Sequence, residues 1–140
     1  MGRRHQVFVA PGPENEALPT EPSPWHQGRE VYLPLEHWHL LLNEARHLDA
    51  AEAARLQEWS GRGALEDDTF APSTGELDNA VAFLKRLASH VRSAPALVPE
   101  PTEEFPEDFI PEEHARMLDS VTAVFSESLQ RGQPFRAWVT

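Results

Sequence analysis

Thirteen prolines in 140 residues decide where this chain can be helical. Proline lacks the amide hydrogen that a helix interior needs, and its ring collides with the carbonyl one turn earlier, so helices are confined to the stretches between prolines. Positions 11, 13, 19, 22 and 24 form one cluster and positions 95, 99, 101, 106 and 111 a second, with Pro34, Pro72 and Pro134 standing singly. Both clusters read as extended connectors, at about 11–28 and 93–111, inside a single domain spanning 1–140.

The first long proline-free stretch opens with LEHWHLLLNEARHL, residues 35–48. At about 100° per residue, Leu35, Trp38, Leu41, Leu42, Ala45 and Leu48 fall in one apolar stripe, and Glu36, His39, Asn43 and His47 fall opposite. This helix is expected to turn its stripe inward and leave its imidazoles facing water or a partner. Asp49-Ala-Ala-Glu52 then reads as a capping box that opens a second helix, with Ala53, Leu56 and Trp59 on its narrow buried side. Ser60 to Gly63 stops it.

A second capping box, Ser73-Thr-Gly-Glu76, starts a third helix that runs to about Arg92 and buries Leu77, Ala80, Val81, Leu84, Leu87, Ala88 and Val91. Each large residue buried there contributes about 1.5 to 3 kcal/mol, which commits this helix to the core. Pro111 suits the first position of a fourth helix, and Glu112 and Glu113 suit the positive end of its dipole. Met117, Leu118, Val121, Val124, Phe125 and Leu129 form its buried side, and Gly132 and Pro134 end it. His114 falls on that apolar side and reads as a buried, hydrogen-bonded core histidine. Short strands are expected at 6–10, 29–33 and 134–140. The fold class is therefore α+β, predominantly helical: a four-helix core with two or three short strands from the termini. An all-α bundle with extended termini is the alternative.

Charge narrows the function. Against 23 acids stand 12 basic residues, a formal net charge of −11, which argues against a nucleic acid backbone as partner and favours a basic protein. The chain has no cysteine, so disulfides, thiol nucleophiles and thiolate metal sites are excluded. It has no apolar run of membrane-spanning length, and its first residues form neither a secretory leader nor a myristoylation site, since Gln6 stands where Ser or Thr is required. A cytoplasmic protein with no membrane partner is the expectation; oligomeric state stays open.

No Gly-x-Ser-x-Gly elbow, no phosphate-cradling glycine pattern and no Ser/His/Asp arrangement is present, so no catalytic or cofactor-binding residue is assigned and no cofactor is expected. His37-Trp-His39 followed by Glu44 resembles the first metal motif of the cupins. That motif lies on a strand with glycines where Val31 and Ala51 stand here, and on a helix the two imidazoles diverge by about 200°. Glu-x-x-His occurs twice, as Glu36/His39 and Glu44/His47, similar to carboxylate-bridged di-iron bundles, which need the motif on two separate helices. Glu36, His39 and His47 are what remains as a metal-ligand set.

The better signals are for contact with another protein. Leu40 sits in the middle of the polar side of its helix, among Glu36, Asn43, Glu44 and His47. Residues 100–113, EPTEEFPEDFIPEE, place seven acids and no base around Phe105, Phe109 and Ile110. Acids keep such a segment soluble, while the aromatic side chains can anchor either a partner or the segment itself to its own core. Partner-binding candidates are accordingly Leu40, Asn43, Glu44, Glu103, Glu104, Phe105, Glu107, Asp108 and Phe109. The leading expectation is a non-enzymatic acidic protein-binding domain, of inhibitor or immunity type, that covers a basic site on its partner. A metal-binding protein or metal-dependent enzyme using the helical His/Glu cluster is the second reading, and an adaptor or subunit docking through Leu40 the third.

Overall fold

The structure is a computed structural model and describes residues 4–13, 16–18, 20, 25–60, 72–93 and 111–140. The fold is α+β and predominantly helical. In chain order the described elements are β1 (His5–Val9), β2 (His26–Gln27), β3 (Glu30–Pro34), α1 (Leu35–Leu48), α2 (Ala50–Trp59), α3 (Thr74–Ser93), α4 (Pro111–Arg131) and β4 (Arg136–Val139). No helix among the described residues is long and apolar enough to cross a membrane.

The strands form one sheet in the order β2-β3-β1-β4, with every neighbouring pair antiparallel. Register follows from side-chain alternation. Phe8 lies opposite Val31 on one side and Ala137 on the other, and all three join the core shared with the helices. Val7 points the other way, in register with Tyr32 and Trp138, and is fully buried. The sequence reading contains no counterpart of β2. It is two residues long and pairs through its backbone across the turn at Gly28, whose φ of +62° is one that glycine adopts without strain.

Aromatic rings join the sheet to the helices. The ring of Phe8 meets Trp38 of α1 edge-on at 5.3 Å and Phe125 of α4 at 5.8 Å, while Phe125 stacks on Phe135 at 4.5 Å. Trp59 of α2 reaches the same cluster, 5.6 Å from Phe125. Every residue assigned to the buried sides of the third and fourth helices is buried except Leu129, which packs partly covered against the core. Phe83 is buried too, beside that side of α3, with the Arg86 guanidinium 5.9 Å from its ring.

The two capping boxes differ in outcome. At α3 both halves form: Glu76 N–H donates to Ser73 Oγ, and Ser73 N–H donates to the Glu76 carboxylate, each at 3.1 Å. Those bonds to Ser73 hold the Glu76 carboxyl below its ordinary range. At α2 only half forms. Asp49 accepts from Ala51 and Glu52 N–H at 3.1 and 3.2 Å, but the Glu52 carboxylate turns away to pair with Arg55 at 3.1 Å. The Asp49 N–H is already spent on Ala45 C=O at 2.8 Å, which leaves the Glu52 carboxylate to a guanidinium one turn along. Ser73→Ala is expected to lower the unfolding free energy by about 1 kcal/mol. The urea midpoint measures this, and an unchanged midpoint would mean that the cap contributes nothing to α3.

Candidate functional site

The polar side of α1 emerges largely as expected. His39, Asn43 and His47 are exposed, and Glu36, Leu40 and Glu44 are half-buried. His37 is the correction, because this imidazole faces neither water nor a partner protein. It is 3% exposed, and its Nδ1 lies 3.1 Å from Nε2 of His114, itself 1% exposed on the first turn of α4. The position directly before Trp38 lies at the border of the apolar stripe, and the start of α4 covers that border. His114 is thus a hydrogen-bonded core histidine. Burial chiefly, and the neighbouring His37 secondarily, push it down to about 4.

Glu44 is engaged within the chain: His90 Nε2 of α3 lies 2.6 Å from its carboxylate, tying α1 to α3. The second Glu-x-x-His pair is therefore split, with Glu44 turned to His90 rather than to His47. His39 and His47 are separated by two turns, about 12 Å along the axis. Among the described residues no group of three or more His, Cys, Asp or Glu side chains converges as a metal ion requires. Glu36, His39 and His47 do not form one.

Glu103, Glu104, Phe105, Glu107, Asp108 and Phe109 lie outside the described residues. Just after them, Glu112 is held by Arg92 at 3.0 Å, and this bond keeps its carboxyl below the ordinary range. Charge is unevenly placed along the chain. The described residues hold 13 of the 23 acids and ten of the 12 basic residues, so ten acids and only two arginines fall elsewhere, chiefly in 61–71 and 94–110. Among the described residues many acids are already matched. Glu52 pairs with Arg55, Glu112 and Asp119 share Arg92, and Glu16 and Glu127 share Arg131.

One concave site is present that the sequence reading did not identify. An open cleft of about 610 Å³ lies where the ends of β1 and β4 meet the flanks of α1 and α2. Leu35, Trp38 and Leu42 of α1 give it an apolar wall, facing Val139 of β4, which is 38% exposed. Arg4 and Arg46 add two guanidinium groups and His39 an imidazole, and no Asp or Glu among the described residues lines it. At its base Trp38 Nε1–H donates to Ser60 Oγ at 3.0 Å, and that hydroxyl donates to Leu56 C=O at 2.7 Å. The signal available in the sequence was Gln6. It stands two residues before Phe8 on the same face of β1, so a polar side chain had to enter the interior there. The basic residues gave no signal, since they come together only when the strand end docks on the helix.

Compared with protein-family models, curated proteins and solved structures, the chain matches none.

Proposed function

We propose that this chain is a non-enzymatic protein-binding domain, of inhibitor or immunity type, that engages a basic site on its partner through its acidic segments. The observation that supports this reading is the division of charge along the sequence: the described residues hold 13 acids against ten basic residues, whereas 61–71 and 94–110 together hold eight acids against one arginine. Acids already tied to arginines offer little to a partner, whereas Glu103, Glu104, Glu107 and Asp108 stand in a segment with no basic residue to match them. Their field speeds encounter with a cationic surface, and Phe105 and Phe109 supply rings that can be buried at the contact. Leu40 and Asn43, on the outer side of α1, extend the candidate surface.

Such binding is salt-sensitive. The purified chain, immobilised and exposed to extract of its own cells, is expected to retain a basic protein at low ionic strength and release it near 0.5 M salt, where the Debye length falls to about 4 Å. Converting Glu103, Glu104 and Glu107 to glutamine and Asp108 to asparagine is expected to weaken capture at least tenfold and to leave the urea midpoint unchanged. Capture indifferent to salt, or equal capture by the quadruple variant, would overturn the reading and favour docking through the Leu40 side.

A further inference from the structure

We propose that the cleft between the β1/β4 end of the sheet and helices α1 and α2 is a binding site for a small organic anion that carries an N–H or O–H donor and an apolar body. Three independent features of the cleft each specify one part of that ligand.

The first is charge. In a chain of net −11, a concavity lined by the two guanidinium groups of Arg4 and Arg46, with no Asp or Glu among its described lining residues, is a local reversal of sign. Arg46 donates to the neutral Gln57 Oε1 at 2.8 Å, and Arg4 Nε donates to the main-chain oxygen of Thr140 at 3.3 Å. Neither makes an ion pair with an Asp or Glu side chain among the described residues. Both keep N–H groups for an oxyanion, which a guanidinium binds through two parallel bonds.

The second is Gln6. This side chain is 1% exposed, and its Nε2 is committed to three carbonyls, Ser60 at 2.7 Å and Val7 and Trp138 at 3.3 Å each. Three acceptors around one nitrogen fix the amide's orientation, because its oxygen could not face them. Oε1 is therefore the end presented to the cleft that Gln6 lines, and it accepts from no group among the described residues. An acceptor whose orientation is fixed in this way offers a ligand N–H or O–H a defined partner.

The third is shape. Leu35, Trp38 and Leu42 form a ridge on one helix face, opposite Val139. A cleft of about 610 Å³ lies in the range of small-molecule sites, which pair mostly apolar walls with a few placed polar groups. Ser60 Oγ and Gln57 Oε1 are engaged with their neighbours, so they shape the site without competing for the ligand's donor.

The probe 8-anilino-1-naphthalenesulfonate carries all three parts: a sulfonate, an anilino N–H and an aromatic body. N-phenyl-1-naphthylamine keeps the last two and lacks the charge. Fluorescence titration of the folded chain at neutral pH is expected to give saturable one-to-one binding of the sulfonate, at least tenfold tighter than the neutral probe. Arg46→Glu is expected to raise its Kd at least tenfold and to leave the neutral probe's Kd unchanged. Lys85→Glu, the same charge change at an exposed site on α3, is expected to alter neither. Backbone and side-chain amide shifts are expected to move at Gln6, at Trp38 Nε1–H and along α1. Equal affinity for the two probes, or equal loss in the Arg46 and Lys85 variants, would overturn the site. So would shifts confined to other surfaces, or no saturable binding by the folded chain.

Discussion

Glu127→Ala is expected to lower the unfolding free energy by about 3 to 5 kcal/mol, the usual consequence of leaving a buried charge unpaired. The Glu127 side chain is 7% exposed and accepts from Arg29, whose side chain is 5% exposed, and from Arg131 Nε at 2.8 Å. Arg29 also donates to Pro11 C=O through Nε at 3.1 Å and Nη2 at 2.6 Å, and to Glu16 C=O at 3.2 Å. One carboxylate thus pairs with two guanidinium groups, and through Arg29 it fastens the first proline-rich connector to α4. Gly12 shows how tightly that connector passes. A Cβ there would stand 2.9 Å from Arg29 Nη2 and from Arg131 Cζ and Nε, at a φ of +122° that side chains rarely adopt. Without Glu127 the buried Arg29 has no carboxylate partner among the described residues, and Arg131 keeps only the exposed Glu16 at 3.2 Å. Removing charge from both sides in Arg29→Met/Glu127→Leu is expected to cost clearly less than Glu127→Ala alone, because no uncompensated charge is then buried. Urea unfolding at pH 7 decides it, and a loss below about 1 kcal/mol for Glu127→Ala would mean that solvent reaches Arg29. The pH sign is also set. Burial by itself raises the Glu127 carboxyl, but the hydrogen bonds and charges of Arg131 and Arg29 outweigh it and hold the group below its ordinary 4.5. Its contribution is therefore present at neutral pH and is lost as pH falls through the lowered folded value.

What the sequence revealed and what it hid divide along physical lines. The four helices were legible because proline excludes helix from their flanks and a 3.6-residue period marks their buried sides. Ser73/Glu76 was legible because a cap is local chemistry, completed within four residues. Relations across the fold were not. Arg29 reads as the polar start of a strand and Glu127 as a charge in a helix of mixed polarity, and nothing across a separation of 98 positions states that the two meet in the interior. His37 lies at the edge of a stripe, so its burial depends on where α4 begins to cover α1. The cleft gathers side chains from both chain ends and from two helices. Only Gln6, a polar residue on the inward alternation of β1, marked it in advance. Of the partner-binding candidates, Leu40, Asn43 and Glu44 fall within the described residues, and Glu44 proves to hold α1 to α3 through His90.

The His37/His114 contact makes a second, pH-dependent expectation. His114 has an unfolded value of 6.5 and is pushed down to about 4 in the fold, first by burial and then by the facing His37. Above pH 6.5 the imidazole is neutral in both states, and its full contribution to stability is present. Between 6.5 and 4 the unfolded chain takes up a proton that the folded chain refuses, so stability falls by about 1.4 kcal/mol per pH unit. The loss by pH 4 is about 3 kcal/mol, and it levels off below, where the folded state binds the proton too. Glu112, Glu113 and Arg116 share that end of α4, but all three are at least partly exposed, so solvent screens their influence. Carboxylates elsewhere, Glu127 among them, also titrate toward the acid end, and a direct comparison removes them. The difference in unfolding free energy between the natural chain and His114→Gln, measured by urea at half-unit steps from pH 7.5 to 4, is expected to narrow steadily below 6.5. Gln keeps an amide that can meet His37 Nδ1 but takes up no proton in this range. A difference constant across that interval would show that His114 protonates in place, with water or a rearranged His37 accepting the charge, and the interior position of this pair would no longer explain its chemistry.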